Sequence, residues 1–92
     1  MNKIKQKLAA GQVITMFNPH IASPGLAEYL GGLGLDVVWI DAERMSYDFE
    51  RIEEMTRAAR LAGIASVARP WLNDAGLITR YFDCGVDGIM VP

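Results

Sequence analysis

The chain has 92 residues, 51% of them hydrophobic and 22% charged, enough apolar material for one core and too little length for several domains. A complete eight-stranded α/β barrel needs roughly 250 residues, so a whole one is excluded. Nine Lys plus Arg against eleven Asp plus Glu give a formal charge of −2 with no block of like charge, which argues against a nucleic-acid partner. The single cysteine, Cys84, has no partner for an internal disulfide, and a reducing cytoplasm is the default compartment.

Lys3, Lys5 and Lys7 before Leu8-Ala9-Ala10 imitate the charged start of a secretory signal, but Gly11-Gln12 interrupts it before the ~7–15 apolar residues such a signal requires. Nothing approaches the ~18 apolar residues of a membrane span, so no membrane partner is expected. Residues 2–10 read as a short amphipathic helix with Ile4 and Leu8 on one face and Gly11 as its stop. From Gln12 onward, short apolar runs alternate with helical patterns, as in consecutive βαβ units with a parallel sheet.

Val13 to Phe17 is the first predicted strand, broken by Asn18-Pro19-His20. Ser23-Pro24 supplies an N-cap with proline in the first turn. Leu26, Ala27, Leu30 and Leu33 then recur at helical spacing until Gly34. Gly31-Gly32 should weaken that helix by about 1 kcal/mol per glycine, and a close approach of helix to sheet would compensate. Val37 to Ile40 is apolar throughout, which suits a strand buried on both faces.

A second long helix begins near Ser46 or Asp48, with Phe49, Ile52, Met55 and Ala59 on one stripe and Gly63 as its end. Ala65 to Ala68 is the third strand, ending at Arg69-Pro70-Trp71. The next helix starts at Asn73 or Asp74, buries Leu77, Ile78, Tyr81 and Phe82, and stops at Gly85. Gly88 to Val91 is the fourth strand. Gly34-Leu35-Asp36 and Gly85-Val86-Asp87 enter their strands through one repeated junction.

Four parallel strands, three covering helices and a short N-terminal helix, with open sheet edges, read as α/β and as the N-terminal half of a TIM barrel: one partial domain over residues 1–92. Such a half is either a truncated chain or a unit that pairs with itself or a partner.

Asp41, Glu43, Arg44 and Arg69 all fall just past strand C-termini, the rim where parallel α/β folds bind ligands. Arg69, fixed by Pro70, suits bidentate capture of a carboxylate or stabilisation of an enolate; the alternative is an ion pair with Asp41 or Glu43. Asp41 and Glu43 could assist proton transfer, bind substrate or hold a metal through water, or simply hold backbone amides and arginines. Two carboxylates alone are too few for a metal site. His20, the only histidine, sits on the first rim loop, a position more often solvated than functional. Cys84 reads as packing, and no Gly-rich nucleotide pattern occurs.

Lys7-Leu8-Ala9-Ala10-Gly11, Gly34 to Glu43, Val67-Ala68-Arg69-Pro70, Trp71 to Asp74 and Asp83 to Pro92 together resemble the first half of the metal-dependent class II pyruvate aldolases of the HpcH/HpaI aldolase/citrate lyase family. The resemblance implies reversible cleavage of a 4-hydroxy-2-oxo acid to pyruvate and an aldehyde. It also implies a divalent Mg, Mn or Co ion, a homo-oligomer and a small-molecule oxo-acid substrate.

By resemblance, Arg69 contacts the keto-acid oxygen and Asp83 raises the basicity of a catalytic histidine. Arg44 stands where the family has that histidine, and arginine does not deprotonate near neutral pH. The family's metal ligands fall on later strands, past Pro92, so none is expected here. Asp83 lies on the opposite rim from Arg44 and would reach a site only across a subunit interface. Two further readings follow: a non-catalytic or re-purposed oxo-acid-binding paralogue, within which metal-bound hydroxide or His20 could supply the base and leave Arg44 for a second substrate carboxylate, or a self-associating half barrel with a structural role.

Overall fold

The computed structural model describes residues 3–92. Helix α1 (Lys3–Ala9) precedes three βα units: β1 (Met16–Phe17) and α2 (Pro24–Gly32), β2 (Val37–Asp41) and α3 (Phe49–Leu61), β3 (Ala65–Arg69) and α4 (Ala75–Asp83). Strand β4 (Gly88–Ile89) follows. The strands form one sheet in the order β1-β2-β3-β4, and every pair is parallel. Among the described residues, no helix is long and apolar enough to cross a membrane. Of the N-terminal helix expected over residues 2–10, residue 2 lies outside the described residues.

Helices α2, α3 and α4 each start where a cap residue places them. Ser23, Asp48 and Asp74 accept backbone N–H bonds from Leu26, Arg51 and Leu77, satisfying donors that a helix leaves free in its first turn. Asp48 rather than Ser46 caps α3, and Asp74 rather than Asn73 caps α4. Gly34, Gly63 and Gly85 take positive φ just after their helices, where a side chain would be strained.

Alternation along the strands divides the sheet into two faces. Val38, Ile40 and Ala68 join Ala27, Ile52, Met55, Ala59 and Tyr81 in the core between sheet and helices. Val37, Trp39, Asp41, Val67 and Arg69 alternate with them and belong to the opposite face. The structure explains one glycine of the Gly31-Gly32 pair: a Cβ on Gly31 would stand 2.7 Å from the Ala62 Cβ and 3.0 Å from the Ile64 Cδ1, so the close approach is to the residues between α3 and β3. Gly32 faces open space, and nothing in the structure explains it.

Three expectations are corrected. Strand β1 begins at Met16, not Val13, because its partner β2 begins at Val37; Val13 is left exposed. Strand β4 ends its ladder at Ile89 rather than Val91: Met90 still donates to the Ala68 carbonyl, but the next rung needs an N–H that Pro70 lacks. Phe82 is half exposed, whereas Tyr81 is fully buried.

The repeated junction has a repeated structure. Asp36 donates its N–H to the Thr15 carbonyl and accepts the Thr15 N–H and hydroxyl through its carboxylate. Asp87 makes the same reciprocal pair with Ser66. The correspondence continues at a constant offset of 51 residues: Pro19 and Pro70, Ser23 and Asp74, Gly25 and Gly76, Leu26 and Leu77, Gly34 and Gly85. Two βαβ units of one pattern are thus laid side by side, and at the end of the odd strands Asn18 corresponds to Arg69.

Asp36 also carries a testable pH dependence. The Lys7 ammonium and the Thr15 amide and hydroxyl hold its carboxyl at about 2, below the ordinary aspartate value of about 3.9. Its contribution to stability is therefore complete above about pH 4 and lost as pH falls toward 2, because the unfolded chain binds the proton first. Urea midpoints followed by circular dichroism from pH 5 to pH 2 should fall less steeply in Asp36→Asn than in wild type. Equal slopes would remove Asp36 from the acid transition.

Candidate functional site

The C-terminal ends of β2 and β3 are in register, with Asp41 beside Arg69. Parallel pairing puts both on the face opposite the helices, and their side chains close on each other. Arg69 Nε donates to Asp41 Oδ1 at 3.1 Å and Nη2 donates to Oδ2 at 2.8 Å, a side-on bidentate ion pair. Asp41 Oδ1 also accepts the backbone N–H groups of Glu43 and Arg44 at 3.2 Å each. Asp41 is 4% exposed. Burial pushes its carboxyl pKa up, but the Arg69 bond and charge and the two amides outweigh this and lower it; Asp41 in turn raises Arg69.

Glu43 braces the same guanidinium, its Oε1 3.2 Å from Arg69 Nε. Beyond it, Arg44 Nε lies 3.9 Å from that same oxygen, with most of the Arg44 side chain in solvent. Beneath, the Arg69 guanidinium sits 5.0 Å from the Trp39 ring centroid, within cation–π range. Three neighbours therefore fix the plane of Arg69: a carboxylate on its side edge, a second carboxylate at Nε and an indole under its face. Among the described residues Nη1 makes no hydrogen bond, and the distal edge of the guanidinium keeps donors for a ligand. The Trp39 indole N–H is buried without a partner among these residues.

The rim around this cluster is held by its loops. Pro70 is fully buried after Arg69. Trp71 packs against Phe49 and Tyr81 with ring centroids 5.9 Å apart in each case. On the other side, Tyr47 donates its hydroxyl to the Ile21 carbonyl and Arg51 donates to the Ala22 carbonyl, strapping the loop after β1 to the start of α3. His20, in that loop, is exposed and has φ of 60°. A cleft of about 450 Å³ there is lined by Ala22, Ser46, Tyr47, Asp48 and Arg51, with no residue of the arginine cluster.

Of the residues singled out from sequence, the structure brings Asp41, Glu43, Arg44 and Arg69 together. Asp83 is not among them: it ends α4 at the opposite end of the sheet and is exposed. Arg69's two alternatives turn out to be compatible, since the ion pair with Asp41 occupies one edge of the guanidinium and leaves another. Trp39 was missed. The signal was available, because strand alternation from Asp41 places residue 39 on the same face.

Among the described residues, no group of three or more His, Cys, Asp or Glu is placed to hold a metal ion. Both Asp41 oxygens are taken by Arg69 and backbone amides. The donors among the described residues do not by themselves fit a divalent metal.

No family model matches the chain. It is 33% identical over 91 residues to a hydroxypyruvate/pyruvate aldolase of Deinococcus radiodurans, covering 99% of this chain and 33% of that protein. A pyruvate aldolase of Rhizobium etli is 32% identical over 94 residues, covering 100% of this chain and 36% of the relative. The crystal structure of an HpcH/HpaI aldolase from Desulfitobacterium hafniense DCB-2 superposes with a TM-score of 0.85 at 30% identity, over 100% of this chain and 36% of that one. The chain thus spans about a third of the length of the relatives it matches. In sequence and in fold it resembles the HpcH/HpaI aldolases, consistent with the N-terminal half of their barrel.

Proposed function

We propose that the full-length protein is a carbon–carbon lyase that reversibly cleaves a 4-hydroxy-2-oxo acid to pyruvate and an aldehyde, working as a homo-oligomer in the cytoplasm. The observation that carries this reading is the fixed Arg69, oriented on the rim by Asp41, Glu43 and Trp39 with donors left over. In such a cleavage the 4-hydroxyl loses its proton, the bond between C3 and C4 breaks, and its electron pair passes to the C2 oxygen as an enolate. A preorganised guanidinium at the oxo-acid end stabilises that developing charge without having to reorganise.

Arg69 is therefore assigned to the carboxylate and C2 oxygen of the oxo acid, while Asp41 and Glu43 are assigned to positioning it. Arg44 accepts no proton, so the base is another group. Asp83 can act only if a neighbouring subunit brings its exposed helix end to a rim. The resemblance calls for a divalent Mg, Mn or Co ion, but the rim carboxylates Asp41 and Glu43 are engaged by Arg69 and do not by themselves supply its site.

The test is pyruvate release from 4-hydroxy-2-oxo acids by the full-length protein with Mg, Mn or Co, coupled to NADH oxidation. Release above the uncatalysed rate is expected. Binding of pyruvate with no release in any metal would favour the second reading, an oxo-acid-binding paralogue, for which the cation at Arg44 is the specific observation.

A further inference from the structure

Glu43 Oε1 is shared by two guanidinium groups, at 3.2 Å from Arg69 Nε and 3.9 Å from Arg44 Nε. The two Nε atoms are therefore no farther apart than those contacts laid end to end. Their surroundings differ. Arg69 is 22% exposed in its side chain and has Asp41 as a bidentate partner, whereas the Arg44 side chain is 77% exposed and Glu43 is its one ion-pair partner among the described residues. A contact of 3.9 Å from an arginine side chain that lies mostly in solvent is weak and screened by salt, and Glu43 stays anchored on Arg69 when Arg44 moves away. Arg44 is thus the cation on this rim that can exchange its partner for a ligand.

We infer that Arg44 is a specificity residue that takes the distal carboxylate of a dianionic substrate whose oxo-acid end is held by Arg69, so that the site selects 2-oxo dicarboxylates over 2-oxo monocarboxylates. This rests on reading the rim as an oxo-acid site. Asp41 and Glu43 offset the two arginines in count, so the preference comes from partner exchange rather than net charge: an ion with one carboxylate engages Arg69 alone, and a second carboxylate gains Arg44 in place of its long contact to Glu43. The fork of a guanidinium suits a carboxylate better than an ammonium does.

The full-length protein is titrated with 2-oxoglutarate and with 2-oxopentanoate, which match in chain length and differ in a terminal carboxylate. Wild type should bind 2-oxoglutarate about tenfold more tightly at low salt, with the margin narrowing as salt rises. Arg44→Gln should weaken 2-oxoglutarate alone and bring the two ligands within about twofold, and Arg44→Lys should keep part of the preference. Equal affinities in wild type, a preference that survives Arg44→Gln, equal weakening of both ligands, or no binding of either would overturn the assignment. Pyruvate release is assayed on the same samples. An Arg44-dependent preference without release sinks the lyase reading and leaves this one standing; release without the preference does the reverse.

Discussion

Replacing Arg69 by lysine is expected to lower pyruvate release by about 10²–10³-fold, chiefly in kcat. Arginine can keep Asp41 on its Nε–Nη2 edge, sit over the Trp39 ring and still offer its distal edge to a ligand. An ammonium is a point charge on a flexible stem and cannot do all three. With Asp41 buried beside it, the ammonium introduced by Arg69→Lys would settle on that carboxylate and leave the enolate oxygen unsupported. The charge on that oxygen is greatest in the transition state, so the loss should exceed any rise in KM. Steady-state kinetics of Arg69→Lys and Arg69→Ala, with thermal melts to show that both fold, give the comparison. Turnover within a fewfold of wild type in either variant would remove Arg69 from the chemistry.

That expectation was half legible in the sequence. Arg69 could be placed on the rim because Ala65 to Ala68 is a short apolar run closed by Pro70, and Asp41 because Val37 to Ile40 is another. The register that sets residue 41 beside residue 69 is a tertiary fact, fixed by strand pairing across an intervening helix. Neither periodicity nor spacing encodes it. For the same reason, spacing alone could not choose between ion pair and ligand site for Arg69; the structure shows the ion pair and, among the described residues, leaves the distal edge of the guanidinium free beside it. The cap residues and helix-ending glycines were readable because they act within a few positions of themselves. Strand lengths were not, since β1 and β4 stop where their neighbours stop offering partners: at the start of β2 in one case and at the missing N–H of Pro70 in the other.

The 51-residue repeat shows what is particular to the second unit. Thr15 with Asp36 and Ser66 with Asp87 perform the same task at the strand entrances, and Pro19 and Pro70 punctuate the same strand ends. At the position between, the first unit carries Asn18, whose side chain accepts the His20 N–H within its own loop. The second carries Arg69, which reaches across to β2. One scaffold therefore supports a self-contained turn in one copy and an inter-strand ion pair in the other. The entrances are built alike, and the exits are where the contacts of the two copies diverge.

Asp41→Ala is expected to damage both stability and site. It removes the acceptor of four hydrogen bonds at once: two from Arg69 and the amides of Glu43 and Arg44. Breaking a buried pair from one side costs about 3–5 kcal/mol because the partner charge is left behind. Here the remaining exposure of Arg69 and its second contact to Glu43 reduce the penalty, and about 2–4 kcal/mol is expected. Asp41→Asn, which keeps an oxygen for the two amides, should lose less stability than alanine while still releasing Arg69 from its fixed edge. The two variants thereby separate folding from positioning: urea midpoints should order wild type, asparagine, alanine, whereas pyruvate release should fall in both. A melting midpoint for Asp41→Ala within about a degree of wild type would mean that this carboxylate holds neither the strand ends nor the arginine.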